Sequence, residues 1–518
     1  MLNIIPKPLK AEELPGKADA RGGFAFAPCE WEQDTARFLQ YISPSKEVKL
    51  PVTAEKDPSL EKEEYTLKVS EDKVKITASC SVGYAYALES LRQLYVAGGG
   101  LMPCVNISDK PRFAWRGFLL DVGRYYMPVD TVKKFIDIML MHKLNVFHFH
   151  LTEDQGWRIE IKKYPLLTQE GSKRSHTNFN HKPHGGFYTQ EEIKDIVNYC
   201  HERHIIAVPE IDMPGHMQAA IHCYPELSCF DRKLPVATHW GVKHDILCAG
   251  KDSTMRFVKD VLDEVVELFP DGYVHLGGDE APKTRWEICP HCQEKIKQLG
   301  LENENQLQAH FVGEVKDYLK AKGVQTITWN EDEISGKAPA DVAWTVWNVL
   351  EKDLNKMYAE MERGRTLINA SSVPNYLDLT YNKNPLKAVY TQPVSICKPH
   401  EKMVGAEASL WTEQIPTLKR AYFMTFPRLG AFCEAVWSED MSRNYDEFLA
   451  RIPAYEKLLN SVGISHTASV KRANPGKLFG ALEQLWFNKV QLCWHGLHNL
   501  IDNAKVKKKY GKNIHDKK

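Results

Sequence analysis

The sequence predicts an α/β protein whose main part is a (β/α)8 TIM barrel, preceded by a small α+β domain. Three observations carry that prediction. Short apolar or β-branched runs recur between residues 118 and 411, and most are separated by stretches of helical period. Strands alternating with helices indicate βα units and a parallel sheet. Polar and aromatic residues collect at the C-terminal ends of these runs, where such a barrel carries its active site. An open doubly wound sheet is the structural alternative, but no G-x-G-x-x-G follows a strand to support its dinucleotide-binding form.

In chain order, residues 1–108 form the first unit. EEYTLKVSEDKVKITAS alternates in the manner of an antiparallel hairpin, and VGYAYALESLRQLYVAG then has helical period. The barrel is expected over 109–460, with PRFAWRG at its start. Its strands are FLLDV (118–122), NVFHFHL (145–151), IIAVPEI (205–211), YVHLGG (273–278), QTITW (325–329), AWTVW (343–347), TLINAS (366–371) and VGAEASLW (404–411). After the first strand, DTVKKFIDIMLMHK puts Val132, Phe135, Ile136 and Met139 on one helical face. In TQEEIKDIVNYCHERH, Thr189 and Glu192 have the spacing of a capping box ahead of an Ile193, Ile196, Val197, Cys200 stripe. STMRFVKDVLDEVVELF is expected to be capped by Ser253 or Thr254, and NQLQAHFVGEVKDYLKAK precedes the fifth strand. Residues 461–518 are expected to be a helical extension with a basic tail, AKVKKKYGKNIHDKK, read as a solvated end rather than a binding arm.

The 518 residues carry 67 Lys plus Arg against 67 Asp plus Glu, a balance without the basic excess of a nucleic-acid binder. No apolar run reaches the roughly 18 residues of a membrane span. The N-terminus, MLNIIPKPLKAEELPG, lacks the apolar core of a signal peptide, so either a cytoplasmic protein or a processed form is expected. Twelve cysteines do not decide the redox compartment. Cys289-Pro-His-Cys292 is a lone C-x-x-C with no second pair at zinc-like spacing, so a local disulfide or two free thiols is favoured over a metal.

The stretch HLGGDE (275–280) places two adjacent carboxylates, Asp279 and Glu280, behind two glycines at the end of the fourth strand. Other strand ends bring Asp121 and Arg124; His150, Glu153 and Asp154; Glu210, Asp212 and His216; Trp329 and Glu331; Trp347; Tyr376 and Asp378; Trp411 and Glu413. Flat aromatic faces suit the apolar faces of sugar rings, and carboxylates with an arginine suit the hydroxyl rim. A carboxylic acid can protonate a glycosidic oxygen, which suggests a glycosidase. A retaining glycosidase ordinarily holds two carboxyls about 5–5.5 Å apart across the scissile bond. Strand neighbours point to opposite sides, so Asp279 and Glu280 are poorly placed for that arrangement. Another strand, or the substrate itself, must supply the nucleophile.

At these residues the chain resembles the family 20 glycoside hydrolases, the β-N-acetylhexosaminidases. IIPKP, RGFLLDVGR, NVFHFHLTEDQGWR, PEIDMPGH, HLGGDE and LWTE occur in the family's order, and the resemblance covers residues 1 to about 460. It implies exo-acting, retaining hydrolysis of terminal non-reducing β-linked GlcNAc, with GalNAc left open. The chemistry implied is the family's substrate-assisted route through an oxazolinium-like intermediate, without cofactor or metal. By position, Glu280 would be the general acid/base. Asp279 would orient the acetamido group and stabilise the intermediate, and Tyr376 would donate to the acetamido oxygen. Arg124, Asp378 and Glu413 would bind sugar hydroxyls, while Trp329, Trp347 and Trp411 would wall the pocket. His216 would sit behind Glu280, partnered by Glu153, with His150 in support. The family often has Asp where this chain has Glu153, an extra methylene that bears on the contact to His216. The sequence after Trp329 carries more acid than the usual pattern, so Glu331 receives no role.

The partner implied is a glycan ending in N-acetylhexosamine, with no nucleic acid and no membrane span; oligomeric state is undetermined. Relatives of this kind are commonly secreted, periplasmic or lysosomal, a location the chain would share if a signal peptide was removed. Two other readings compete. His148 and His150 form an H-x-H facing one side of a strand, which would suit a metal-dependent hydrolase. Packing and hydrogen bonding beneath the site is the preferred account of them. A non-catalytic sugar-binding barrel is the second alternative, and the presence of Glu280 argues against it.

Overall fold

The computed structural model describes residues 2–177, 182–331, 339–348, 354–395, 401–475 and 501–510. Part of the expected C-terminal extension, including 511–518 of the basic tail, lies outside them.

The N-terminal region is a six-stranded sheet carrying one long helix, Ser81–Gly98. The expected hairpin is there: Tyr65–Val69 pairs antiparallel with Val74–Ala78. Its alternation buries Tyr65, Leu67, Val69, Val74, Ile76 and Ala78 against the helix while Lys68 and Lys75 face outward. This region joins the barrel through a buried polar knot. Asp109 accepts hydrogen bonds from Tyr65 Oη (2.6 Å), Trp437 Nε1 (2.9 Å) and Lys143 Nζ (2.9 Å), so its charge is compensated where no water reaches.

The barrel closes from eight parallel strands: Trp115–Asp121, Val146–His150, Ile206–Glu210, Tyr273–His275, Gln325–Trp329, Ala343–Val346, Leu367–Asn369 and Met403–Leu410. All eight coincide with the expected runs. The eighth strand pairs with the first from Gly405 opposite Trp115 to Leu410 opposite Leu120. The helix after the first strand spans Val129–Met141 and buries its predicted stripe. Helix Gln190–His201 opens on the expected capping box, with both the Thr189 and Glu192 bonds formed. One cap differs. The helix before the fourth strand begins at Asp252, with Lys251 at the N-cap, so Ser253 and Thr254 lie inside the first turn. Thr254 is fully buried there, and packing has set the boundary in place of cap chemistry.

Inward-facing side chains fill the barrel in layers. The lower layer is apolar: Val146, Val208, Ile327, Ala343 and Ile368. Above it comes a polar layer of His148, Glu210, His275 and Glu407. At the C-terminal mouth, Leu119, Trp329, Ala370 and Trp411 form a third cluster, with Trp347 and Tyr376 packed on it. The polar layer beneath this mouth supports the site.

Candidate active site

The first barrel strand ends at Asp121. Its Oδ1 accepts the Arg124 backbone N–H (3.1 Å), and its Oδ2 accepts both the backbone N–H and the hydroxyl of Thr412 (2.9 Å each). This clamp joins the ends of the first and eighth strands and fixes Arg124. The Arg124 guanidinium lies 2.5 Å from Glu153 and 3.5 Å from Glu413, over the Trp411 ring at 4.9 Å.

Glu153 is the hub of the charged network. Its carboxylate meets Arg124, the Nδ1 of His216 (3.0 Å) and the Nε2 of His150 (3.4 Å). Burial alone would raise this carboxyl, but Arg124 and the two histidines overcome that and hold it well below the usual range. Reciprocally, burial opposes charge on His216, yet Glu153 and Asp212 keep its imidazole well above the ordinary value. The extra methylene of Glu153 leaves the contact to His216 intact. Its Cβ and Cγ pack against Gly123, where a Cβ would sit 2.8 Å from Glu153 Cβ. The second face of His150 leads downward, its Nδ1 2.5 Å from Glu210.

Glu210 sits at the centre of the polar layer, approached by His148 (3.1 Å) and His275 (3.2 Å), and accepts from Trp329 Nε1 (2.8 Å). The other ring nitrogen of His148 contacts Glu407 at 2.7 Å. Burial opposes charge on His148, but Glu407 and Glu210 carry it up to about 9. His148 and His150 are thus occupied by carboxylates beneath the site, the arrangement expected of a supporting layer.

The fourth strand explains the two glycines of HLGGDE. Gly277 has φ +63°, and a Cβ there would fall 1.9 Å from Asp212 Oδ1. Only a residue without Cβ lets Asp212 come this close and accept the Gly278 N–H at 3.1 Å. Burial, with Glu210 nearby, outweighs the opposing His216 and raises Asp212 to about 7. The chain then delivers Asp279 and Glu280. Glu280 adopts φ +44° and His216 φ +52°, left-handed conformations costing of order 1–3 kcal/mol each, which cluster where function demands them. The Glu280 backbone N–H is held by Glu331 Oε2 at 2.7 Å. Its side chain is 39% exposed at the mouth, with His216 Nε2 3.7 Å behind it. Asp279 is half-buried, its carboxyl close to Asp212 and His216. Burial, then the neighbouring Asp212, push its carboxyl well above the ordinary value, and its Oδ1 is buried without a hydrogen-bond partner.

Aromatic rings wall the space beside Asp279. Trp329 and Trp411 have centroids 5.8 Å apart, Trp411 and Tyr376 5.9 Å, and Tyr376 stacks with Trp347 at 6.5 Å. Burial, with Asp279 and Asp378 close by, raises the Tyr376 phenol well above its ordinary value and keeps it a hydrogen-bond donor. Asp378 accepts the Trp411 backbone N–H at 3.4 Å; burial and then Glu413 raise it to about 8.

The fold therefore gathers Arg124, His150, Glu153, His216, Asp279, Glu280, Trp329, Trp347, Tyr376, Asp378, Trp411 and Glu413 at one mouth. Sequence reading missed three contributions. Asp212 requires Gly277, Glu331 holds Glu280 by its backbone, and Glu407 anchors the layer below. The period-two parity of the eighth strand was the available signal for Glu407, since alternate residues there face inward. Of the local disulfide or two free thiols expected at Cys289 and Cys292, the structure has the free thiols, and folding adds Cys229 and Cys248 to them in one buried cluster.

Comparison with known proteins agrees with this geometry. Residues 113–440 match the glycosyl hydrolase family 20 catalytic domain, and residues 1–110 match the family's domain 2. A β-hexosaminidase of Porphyromonas gingivalis is 34% identical over 506 residues, covering 90% of this chain; the chain spans 64% of that relative's length. Among solved structures, a β-N-acetylhexosaminidase from Bacteroides fragilis superposes with a TM-score of 0.80 at 35% identity, covering 92% of this chain and 98% of that one. An exo β-N-acetylglucosaminidase from Vibrio harveyi, in complex with N-acetylglucosamine, does so with a TM-score of 0.80 at 30% identity, covering 90% and 78%. With the catalytic-domain match spanning most of the chain and a barrel mouth of paired acids and tryptophans, the protein belongs to glycosyl hydrolase family 20 and is a glycoside hydrolase.

Proposed function

We propose that the protein is an exo-acting, retaining β-N-acetylhexosaminidase that removes terminal non-reducing β-linked GlcNAc by substrate-assisted catalysis. The observation that carries this reading is the setting of the two adjacent acids. Glu280 has its side chain 39% exposed at the mouth with His216 behind it, and the half-buried Asp279 stands close to Tyr376 of the aromatic cluster. An acid beside an aromatic box, without a facing nucleophile on the same strand end, suits a substrate that brings its own.

In the first step Glu280 gives its proton to the glycosidic oxygen as the bond to C1 breaks. The substrate's acetamido oxygen closes onto C1 and forms a cyclic oxazolinium ion. Tyr376 donates to that oxygen, and Asp279 faces the acetamido N–H. Burial, then Asp212, hold the Asp279 carboxyl above its ordinary value, and the cation that develops on the substrate favours the carboxylate, so stabilisation grows toward the transition state. In the second step Glu280 takes a proton from water as the water attacks C1. The ring opens, the acetamido group is regenerated, and the β configuration is retained. Arg124, Asp378 and Glu413 form the polar rim for the ring hydroxyls. The Vibrio harveyi neighbour, solved with N-acetylglucosamine, supports GlcNAc as the sugar.

A series of p-nitrophenyl β-glycosides tests this. The GlcNAc substrate should turn over, and successive fluorination of its N-acetyl group should slow the reaction as the acetamido oxygen loses nucleophilicity. A rate insensitive to fluorination, or equal cleavage of the plain glucoside, would refute substrate assistance.

A further inference from the structure

Beside the loop that carries Asp279 and Glu280 lies a group of side chains that the glycosidase reading leaves unused. Cys229, Cys248, Cys289 and Cys292 converge from three separate segments, and one sulfur from each lies within 4.8 Å of all the others. The sulfur–sulfur separations are 3.6 Å for Cys248–Cys292, 3.7 Å for Cys248–Cys289 and 3.9 Å for Cys229–Cys292. We propose that these four cysteines form a structural tetrathiolate site for one zinc ion.

The distances select this reading. A disulfide needs sulfurs about 2.05 Å apart, so the group is not two disulfides as it stands. A tetrahedral zinc site with Zn–S of about 2.3 Å has sulfur–sulfur edges of about 3.8 Å, which the three separations bracket. An iron–sulfur cluster requires room for several metal and sulfide atoms among its cysteines, and edges of this length leave none. Surroundings fit a closed structural centre. All four cysteines are buried among Ile246, Trp286, Leu307 and Ala281, which exclude water and competing ligands. Cys289 stands at the N-cap of helix Pro290–Leu299, a position that favours a thiolate. Gly250 completes the seat: a Cβ there would fall 2.2 Å from the backbone carbon of His291 and 2.4 Å from the Cys292 nitrogen. The segment of Cys248 therefore lies directly on the C-x-x-C turn. Binding would convert four thiols to thiolates, release their protons and leave a dianionic centre.

The consequence is positional. Cys229 and Cys248 lie within the long connection after the third barrel strand, while Cys289 and Cys292 close the segment that starts at Glu280. Ala281 and Trp286 of that segment pack directly on the cluster. Metal would pin the two connections together and hold the acid-bearing loop from behind.

The test begins with the full-length protein, purified without added metal or chelator, and its metal content by mass spectrometry. About one zinc per chain is expected, released stoichiometrically as p-hydroxymercuribenzoate titrates four thiols. Replacing the ion with Co(II) should give the intense visible bands of a tetrahedral thiolate site. Cys248→Ser with Cys292→Ser should abolish retention, and Cys80→Ser, outside the cluster, should leave it at one per chain. Four reduced thiols in a metal-free wild-type chain, packed as small apolar groups, would overturn the proposal. So would a mass lower by four hydrogens, which signals two disulfides, or iron in place of zinc. The wild-type measurements stand even if the double variant fails to fold, and none depends on glycosidase activity.

Discussion

Gly277→Ala tests how the active-site loop is built. Two effects combine at this position. An alanine held at φ +63° carries the left-handed penalty of about 1–2 kcal/mol. Its Cβ would also fall 1.9 Å from Asp212 Oδ1, so Asp212 must withdraw from the Gly278 N–H it now binds at 3.1 Å. Losing that buried hydrogen bond costs roughly 1–3 kcal/mol more. Gly300 provides the matched control, because it has the same φ of +63° and no atom within 4 Å of the point a Cβ would occupy. Gly300→Ala therefore carries the backbone penalty alone. With an unfolding entropy of about 2.1 cal/mol/K per residue over the roughly 330 residues of the barrel, each kcal/mol moves the midpoint by about 1.4 °C. Thermal melts should show a loss of about 3–7 °C for Gly277→Ala and about 1.5–3 °C for Gly300→Ala. The displaced backbone leads directly into Asp279 and Glu280, so kcat on the aryl GlcNAc substrate should fall at least tenfold in the first variant and stay near wild type in the second. Equal melts and equal kcat in the two variants would refute the assignment of Gly277 to close approach by Asp212.

Three further outcomes are expected. Glu280→Gln should lower kcat by about 10²–10⁴-fold with an unchanged melt, since its side chain stands partly exposed and carries little of the packing; a near-normal rate would remove it from the acid/base role. Glu153→Gln should destabilise by about 3–5 kcal/mol, because Arg124, His150 and His216 lose their shared counter-charge, whereas Glu153→Asp should recover most of it; an Asp variant as unstable as the Gln variant would show that shape, not charge, matters there. The pH dependence of stability follows from Asp378, raised from 3.8 to about 8. Between those values the folded protein binds the proton more tightly than the unfolded chain, so stability falls as pH rises through this window and levels above it. Asp378→Asn should therefore lose less of its melting temperature between pH 5.5 and 8.5 than the wild type, and parallel curves would exclude this group as a source of the decline.

Sequence alone determined the barrel, because its signals are local. A β-branched run of five residues, a 3.6-residue apolar stripe and the Thr189–Glu192 capping box act over short range and are legible without neighbours. The strand ends were legible for the same reason, since chain direction in a parallel barrel fixes which residues reach the mouth. Asp279 and Glu280 stood out because adjacent acids behind two glycines are unfavourable unless used. What only the tertiary structure decided depends on residues far apart in the chain. Asp212 explains Gly277 from 65 positions away, and Glu331 holds the Glu280 backbone across 51 residues. Glu407 meets His148 across 259, and a cap expected at Ser253 or Thr254 moved to Lys251 when Thr254 was buried. The cysteines show the contrast most clearly. Spacing isolates Cys289 and Cys292 as a lone pair, while folding brings the sulfurs of Cys229 and Cys248 within 4.8 Å of theirs. Pairing at short range is written in the order of residues. The charge and coordination of a buried site come from whichever distant side chains the closed barrel and its connections press together, where low dielectric makes each partner count.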